Sequence, residues 1–193
     1  DTMPYHFEAW KAFAVKYDLG PKAIDYAVES FGQTNWQIFA HIFSRLGKKP
    51  PMDFNALSDE KEAMFRQVIA GREAPRPGLR RLLHRARRAG LKVAVATSAP
   101  RENAEFLLAD TGLAHYFAAT VWATEHTRSK PHPDIFLQAA HRIGLPPAQC
   151  VAFEDSAHGC QAALNAGMSL IAIAETPDHG CRLTKWTPFV YED

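Results

Sequence analysis

Hydroxyl, ammonium and carboxylate side chains follow short apolar runs or lie in tight loops in this 193-residue chain. Thr97 and Ser98 come directly after the run VAVA, Lys130 lies in the loop segment SKPHPD, and Glu154 and Asp155 follow the run CVAF. Charged groups at such positions add nothing to an apolar core. Because ligands bind beyond the carboxyl ends of the strands in an open parallel sheet, we expect these side chains to converge on one crevice.

The chemistry of this set is that of phosphoryl transfer. The carboxylates of Glu154 and Asp155 would hold a hard divalent cation, for which Mg²⁺ is the best match. Thr97, Ser98 and the N–H groups at the start of the next helix would bind phosphate oxygens. Lys130 would neutralise the charge that the phosphate shares with the carboxylates. Each of these residues alone is more typical of a helix cap or a solvated loop. Their ordered occurrence at successive strand ends along the chain is what favours a functional site.

The elements that position these residues alternate between strand and helix from residue 76 onward. Apolar strands are predicted at LKVAVAT, AATVWA, CVAFED and SLIAIA, and helices at PRENAEFLLADTG, PDIFLQAAHRIG and SAHGCQAALNAG. Repeated strand–helix–strand units of this kind are typical of an α/β fold with a doubly wound, Rossmann-like parallel sheet.

The first seventy or so residues carry only helical patterns. Apolar stripes in YHFEAWKAFAVKY and TNWQIFAHIFSRLG place Trp10 and Trp36 in a core, and Ser58 is predicted to cap the helix SDEKEAMFRQVIAG. The segment REAPRPG resists both helix and strand, and therefore marks a boundary. The sequence predicts a helical cap domain over residues 4–75 and an α/β core domain over residues 1–3 and 76–193.

The composition of the chain narrows the classes of partner that we expect the protein to bind. The formal net charge is +1, which does not point to nucleic acid or to an anionic membrane. The chain has three cysteines without close pairing and lacks an apolar run of the roughly 20 residues that a membrane span needs. We expect a cytoplasmic monomer that binds a small phosphorylated metabolite and neither nucleic acid nor membranes.

Three segments carry a specific resemblance. TSAPREN, SKPHPDIF and FEDSAHGCQAALNAGM together resemble motifs two, three and four of the haloacid dehalogenase (HAD) superfamily. The opening DTMPYHFEAWKAF is similar to the segment after the first motif in its β-phosphoglucomutase-like branch. The resemblance covers nearly all of the chain. It implies Mg²⁺-dependent phosphoryl transfer through an aspartyl-phosphate, with catalytic roles for Thr97 and Lys130.

The resemblance also implies substrate-binding residues in the cap. His6 and Lys61 match two such positions, and Asn35 stands where the mutase has an arginine. Asparagine cannot grip a second phosphate bidentately as arginine does, although Arg101 is a further candidate for that role. This difference favours a phosphatase of small metabolites such as sugar phosphates. A sugar phosphate mutase of the β-phosphoglucomutase type is the alternative.

The nucleophile of the resembled family is the first Asp of a DxDGT strand, which is not in this sequence. A carboxylate is the group that forms an aspartyl-phosphate. We therefore expect the parent protein to be an enzyme and the chain as given to be inactive alone. If the native chain begins at Asp1, the alternative is a catalytically inactive binding module.

Overall fold

The computed structural model describes residues 2–30, 35–122, 128–174 and 177–192. The chain forms two compact units, residues 1–73 and residues 74–193. We call them the helical unit and the α/β unit. The division falls in the segment REAPRPG, where two prolines and a glycine predict an interruption of regular structure.

The described part of the helical unit contains helices and no strand, as its sequence patterns predict. The helices are α1 (Met3–Lys16), α2 (Lys22–Glu29), α3 (Asn35–Leu46) and α4 (Phe54–Ile69). Helix α4 begins earlier than predicted, because the side chain of Asp53 accepts hydrogen bonds from Asn55 N and Ala56 N, each at 3.0 Å. The prediction of Ser58 as the cap is wrong. Its hydroxyl lies inside the helix and donates to Phe54 O at 2.6 Å.

Aromatic side chains fill the core of the helical unit. The ring of Phe39 lies 5.0 Å from that of Trp10 and 5.1 Å from that of Phe13, in tilted and edge-on arrangements that aromatic pairs prefer. All three residues are buried. The prediction that Trp36 belongs to this core is wrong, because Trp36 is 55% exposed, although its ring lies 5.4 Å from that of Phe54.

The α/β unit alternates helices with short parallel strands, which confirms the predicted fold class. Its strands are β1 (Ala94–Thr97), β2 (Ala119–Trp122), β3 (Val151–Glu154), β4 (Ser169–Ala174) and β5 (Val190–Glu192). Its helices are α5 (Leu79–Arg88), α6 (Arg101–Asp110), α7 (Asp134–Arg142), α8 (Ala157–Asn165) and α9 (Pro177–Leu183). The short segments Ala114–Tyr116 and Pro147–Gln149 are 3₁₀ turns.

The strands of the α/β unit pair in parallel in two groups. Strand β1 pairs with β2, with Thr97 opposite Trp122, and the order of the second group is β3-β4-β5, with Glu154 opposite Ala172. The core between strands and helices consists largely of small residues, including Ala162 and Ala172, which lets the helices pack closely on the strands. The parallel strands leave Thr97 and Glu154 at carboxyl ends, where ligands bind in folds of this kind.

Two further properties follow from the described residues. None of their helices combines the length and the apolar character needed to cross a bilayer. The thiols of Cys150, Cys160 and Cys181 are free.

Candidate active site

One cavity of about 530 Å³ in the α/β unit gathers the residues that the sequence singles out at strand ends. Thr97 is the last residue of β1 and Glu154 the last residue of β3. Lys130 reaches the same cavity from the loop before α7. The polar residues that line the cavity are Arg76, Thr97, Ser98, Lys130, Glu154, Asp155 and Ser156. The predicted convergence of hydroxyl, ammonium and carboxylate groups is therefore present.

The turn after β1 is organised by Thr97. Its hydroxyl oxygen accepts a hydrogen bond from Ala99 N at 3.1 Å, and Pro100 then leads into α6. Pro100 contributes no N–H group, and its fixed φ of −53° suits the entry into a helix. Ser98 is exposed in this turn and lines the cavity. The cavity is thus bordered by these hydroxyl groups and by Ser156, the residue that caps the N-terminus of α8, a combination that can accept an anion.

Lys130 and Glu154 form an ion pair inside the cavity wall. The ammonium of Lys130 donates to Oε1 of Glu154, and the two side chains are only 16% and 8% exposed. The same ammonium lies 5.1 Å from the centre of the Phe136 ring. The two charges of a largely buried ion pair attract each other more strongly than those of a pair at the surface. Glu154 therefore fixes the position of the Lys130 charge.

The second oxygen of Glu154 holds the turn between β3 and α8. Oε2 accepts from Asp155 N at 3.1 Å, from Ser156 N at 3.2 Å and from Ser156 Oγ at 3.1 Å. Ser156 in turn caps α8, since its Oγ accepts from Gly159 N at 3.0 Å. Both carboxylate oxygens of Glu154 are therefore engaged by protein groups.

Gly159 makes this arrangement possible. A Cβ at position 159 would lie 2.0 Å from Cδ of Glu154, well inside van der Waals contact. The carboxylate thus occupies the space that a side chain at this position would need. The sequence shows a glycine in the first turn of a helix, which is otherwise unfavourable, and the close approach of Glu154 explains it.

The two carboxylates differ as metal ligands. Asp155 is exposed and lines the cavity, whereas Glu154 is buried and directed at Lys130 and the turn. Among the described residues, no group of three His, Cys, Asp or Glu side chains is close enough to hold a metal ion on its own. The donor set therefore fits a hard cation held through Asp155 and through oxygens that other groups supply, which is how Mg²⁺ is commonly bound.

The predicted cap residues also come together, within the helical unit. Lys61 is buried, and its ammonium lies 2.8 Å from His6 Nδ1 and 2.8 Å from Glu62 Oε1. The same Glu62 oxygen accepts from Asn35 Nδ2 at 2.6 Å. We call His6, Asn35, Lys61 and Glu62 the cap cluster.

Burial governs protonation in the cap cluster. Burial, together with the nearby charge of Lys61, lowers the pKa of His6 to about 4, so its ring is neutral near pH 7. The ring also stacks on Phe65 at 3.9 Å. Burial lowers the pKa of Lys61 as well, and the neighbouring Glu62 carboxylate opposes that shift. Glu62 therefore favours a charged Lys61 at a site that would otherwise disfavour it.

One predicted residue lies elsewhere, and two residues of interest were not predicted. Arg101 does not line the cavity; it pairs with Glu105 at 2.8 Å and stacks 4.9 Å from the Trp122 ring. Arg76 lines the cavity, although the segment REAPRPG that contains it predicts only a boundary between domains. Glu62 completes the cap cluster, although its position next to Lys61 resembles a solvated helix surface. The sequence signals that could have identified them are an arginine held between two prolines and an acid beside a candidate lysine.

A model of the family described as haloacid dehalogenase-like hydrolase matches residues 1–167 of the chain. The chain belongs to this family. The match spans both the cap cluster and the cavity residues, and it confirms the family that the three motif-like segments indicate.

Curated relatives and a solved structure agree with the family. The fructose-1-phosphate phosphatase YqaB of Escherichia coli is 35% identical over 179 residues, which is 90% of this chain and 89% of that protein. The β-phosphoglucomutase of Bacillus subtilis is 31% identical over 183 residues, 91% of this chain and 78% of that protein. A crystal structure of a HAD hydrolase of family IA, variant 3, from Entamoeba histolytica superposes with a TM-score of 0.80 at 24% identity, over 98% of this chain and 86% of that one. This last likeness shows the shared fold.

Proposed function

We propose that the protein is a Mg²⁺-dependent phosphatase that hydrolyses small phosphorylated metabolites, sugar phosphates above all, through an aspartyl-phosphate. The observation that carries the proposal is the shared cavity of Thr97, Lys130 and Asp155. A hydroxyl, a fixed ammonium and a carboxylate around one cavity match the needs of a phosphoryl group that gains charge during transfer. The similarity to a fructose-1-phosphate phosphatase supports sugar phosphates as the substrate class.

The proposed reaction has two steps. In the first, a carboxylate attacks the phosphorus atom and the bond to the sugar oxygen breaks. That oxygen takes a proton from a general acid, for which the second aspartate of a DxDGT strand is the candidate, and leaves as the free sugar hydroxyl. In the second, water attacks the acyl phosphate and releases inorganic phosphate and the original carboxylate. Thr97 and Ser98 would orient the phosphoryl oxygens, and Lys130 would stabilise their charge throughout. Asp155 would hold Mg²⁺, which supplies further charge neutralisation when it is bound.

The proposed nucleophile is an aspartate on a strand beside β1 and β3. Each of these strands pairs on only one side among the described strands, so each presents an open edge next to the cavity. On β3, the apolar side chains of Val151 and Phe153 are 53% and 50% exposed, which is unusual for a strand of a doubly wound sheet. A further strand at this edge would satisfy the backbone groups and bring a carboxylate to the cavity.

The cap cluster supports hydrolysis over mutase chemistry. A mutase must hold a second phosphate, and in this cluster Asn35 and Lys61 both donate to the carboxylate of Glu62. Asn35 is uncharged and engaged with Glu62, so it cannot grip a second phosphate bidentately as an arginine would. We propose that the cluster binds uncharged hydroxyl groups of the substrate.

The test is turnover of a panel of sugar monophosphates by the complete protein with Mg²⁺, with and without a sugar bisphosphate activator. Release of inorganic phosphate without a bisphosphate requirement supports the phosphatase, and isomerisation that needs the bisphosphate supports the mutase. Lys130→Ala is expected to lower kcat by about 100-fold or more, the usual effect of losing a preorganised donor to developing charge. An unchanged kcat in this variant would contradict the site.

A parallel assay of residues 1–193 alone separates the enzyme from a binding module. If the nucleophile lies on the further strand, this chain hydrolyses no p-nitrophenyl phosphate, and the protein that includes a DxDGT strand does. Hydrolysis by residues 1–193 alone, at the rate of the longer protein, would contradict the proposed nucleophile.

A further inference from the structure

Arg76 lies in the wall of the cavity, at the start of the α/β unit. It is half-buried and lines the same cavity as Thr97, Lys130 and Asp155. The boundary segment that carries it is the part of the sequence least expected to contribute to a site, because its prolines and glycine indicate a connection between domains.

The backbone around Arg76 is stiff. Pro75 precedes it and Pro77 follows it, and a residue before proline is restricted to extended conformations. The carbonyl of Arg76 accepts from Leu79 N at 3.1 Å, which closes a turn through Gly78, whose φ of 82° only glycine adopts without strain. A side chain on such a segment loses little backbone entropy when it binds a ligand, so the position suits recognition.

The charges of the cavity leave a role for a further cation. The charged side chains that line the cavity are Lys130, Glu154, Asp155 and Arg76, and their formal charges sum to zero. A phosphate ester brings close to two negative charges, and a cation on Asp155 offsets only part of them. An arginine is the side chain best suited to take phosphate oxygens, because its planar group donates two parallel hydrogen bonds.

We infer that Arg76 is a substrate-binding residue that donates hydrogen bonds to the phosphate oxygens of the substrate. This inference rests on the proposed function, since it assigns a partner for the phosphate in the same cavity. Arg76 binds and orients the phosphate, and takes no part in proton or phosphoryl transfer.

The test measures binding and turnover separately in the complete protein. Inorganic phosphate is the probe for binding, titrated by calorimetry in the presence of Mg²⁺, and KM and kcat for a sugar phosphate are measured alongside. The variants are Arg76→Ala, Arg76→Gln and Arg76→Lys. The matched control is Arg80→Ala, which removes an exposed arginine four residues away whose guanidinium donates to Thr111 O outside the cavity. Thermal unfolding of each variant reports whether it folds.

Arg76→Ala and Arg76→Gln are expected to weaken phosphate binding and raise KM by about 10-fold or more, the effect of a lost charge-assisted hydrogen bond. Arg76→Lys keeps the charge without the paired donors and is expected to lie between these variants and the wild type. Arg80→Ala is expected to match the wild type in both measurements.

Two outcomes overturn the inference, and they differ. If the wild type hydrolyses the ester and the folded Arg76→Gln variant binds phosphate with unchanged affinity, Arg76 is not a phosphate ligand and the proposed function stands. If the wild type neither binds phosphate nor hydrolyses any ester, the proposed function fails and the inference fails with it. Loss of phosphate binding in Arg76→Gln alone supports the inference even where turnover is slow.

Discussion

The carboxylate of Glu154 lies against the backbone of Gly159, so close that a Cβ on Gly159 would come within 2.0 Å of the Glu154 Cδ. This contact joins the first turn of α8 to the ion pair of Glu154 with Lys130. Glu154 fixes the Lys130 ammonium in the cavity. A side chain added at Gly159 would therefore displace Glu154 and, with it, the ammonium at the proposed phosphate site.

Gly159→Ala is therefore expected to lower turnover by about 10-fold or more, the scale of a displaced charge partner. Helix propensity alone predicts the reverse for stability, a gain of about 1 kcal/mol for alanine over glycine within a helix. We expect the clash to remove that gain, so that the thermal midpoint does not rise. Phosphate-ester hydrolysis and thermal unfolding are measured on the same preparations.

Two further variants make this prediction specific. His158→Ala, at an exposed position beside Gly159, is the control and is expected to keep wild-type turnover. In the double variant Gly159→Ala with Glu154→Asp, the shorter acid withdraws from the new methyl group, and part of the lost activity should return. A Gly159→Ala protein that is more stable and fully active would show that Glu154 does not need its present position.

The different surroundings of Glu154 and Asp155 predict different responses to the metal. Asp155→Asn is expected to weaken Mg²⁺ binding by at least about 10-fold, because it removes the exposed carboxylate of the cavity. Glu154→Gln is expected to leave Mg²⁺ affinity nearly unchanged and to lower kcat, because Lys130 loses its partner. Calorimetric titration with Mg²⁺ measures the first effect and steady-state kinetics the second. Equal losses of Mg²⁺ affinity in both variants would show that both acids bind the metal, as the sequence predicts.

The hydrogen bond between Asn35 and Glu62 predicts how substitutions at these two positions change the use of sugar bisphosphates. The Asn35 amide donates to Glu62 Oε1 at 2.6 Å, so an arginine introduced at position 35 would pair with that carboxylate. Asn35→Arg alone is therefore expected to leave sugar bisphosphate use at the wild-type level. Combined with Glu62→Gln, the arginine loses its internal partner, and bisphosphate-dependent isomerisation should increase. The assay follows isomer formation by NMR, with Glu62→Gln alone as the control. A gain in the single variant would show that Glu62 does not hold the new side chain.

The lowered pKa of His6 predicts a dependence of stability on pH. In the unfolded chain His6 takes up a proton near the ordinary histidine pKa of 6.5, whereas in the folded protein it resists protonation until about pH 4. The unfolded state thus binds more protons between these values, and the free energy of unfolding falls as the pH is lowered through this window. With allowance for solvent screening, we expect a loss of about 1 kcal/mol between pH 6.5 and pH 5.

Urea unfolding of the wild type and of His6→Asn at both pH values tests this expectation. The variant keeps an acceptor for Lys61 and lacks the titrating ring, while Lys61 and Glu62 are present in both proteins. The pH-dependent loss should be smaller in the variant. Identical losses in the two proteins would mean that His6 is not protected from protonation.

Much of this architecture could be predicted because it rests on local patterns. Apolar runs and helical stripes identify strands β1 to β4 and most of the helices, and parallel strands bring Thr97 and Glu154 to carboxyl ends. The convergence of these residues with Lys130 follows from that rule of topology. The family motifs then indicate phosphoryl transfer.

The remaining features depend on contacts between residues far apart in the chain, which no local pattern encodes. Glu154 and Asp155 look equivalent in the sequence, and only the position of Lys130 shows that Glu154 is the acid of the buried ion pair. Arg76 is separated from Thr97 by a helix, so its place in the cavity could not be deduced from the boundary segment. Trp36 fits the helical stripe yet is exposed, because periodicity identifies a face and not the depth of burial.

The most direct test of the central claim is a crystal structure of the protein with Mg²⁺ and tungstate, a heavy analogue of phosphate that anomalous scattering locates unambiguously. We expect one tungstate in the cavity, with its oxygens within about 3.2 Å of Lys130 Nζ and of the Thr97 hydroxyl or a neighbouring N–H group. Mg²⁺ should lie between that anion and Asp155. A tungstate bound elsewhere, with this cavity empty at saturating concentrations, would contradict the account.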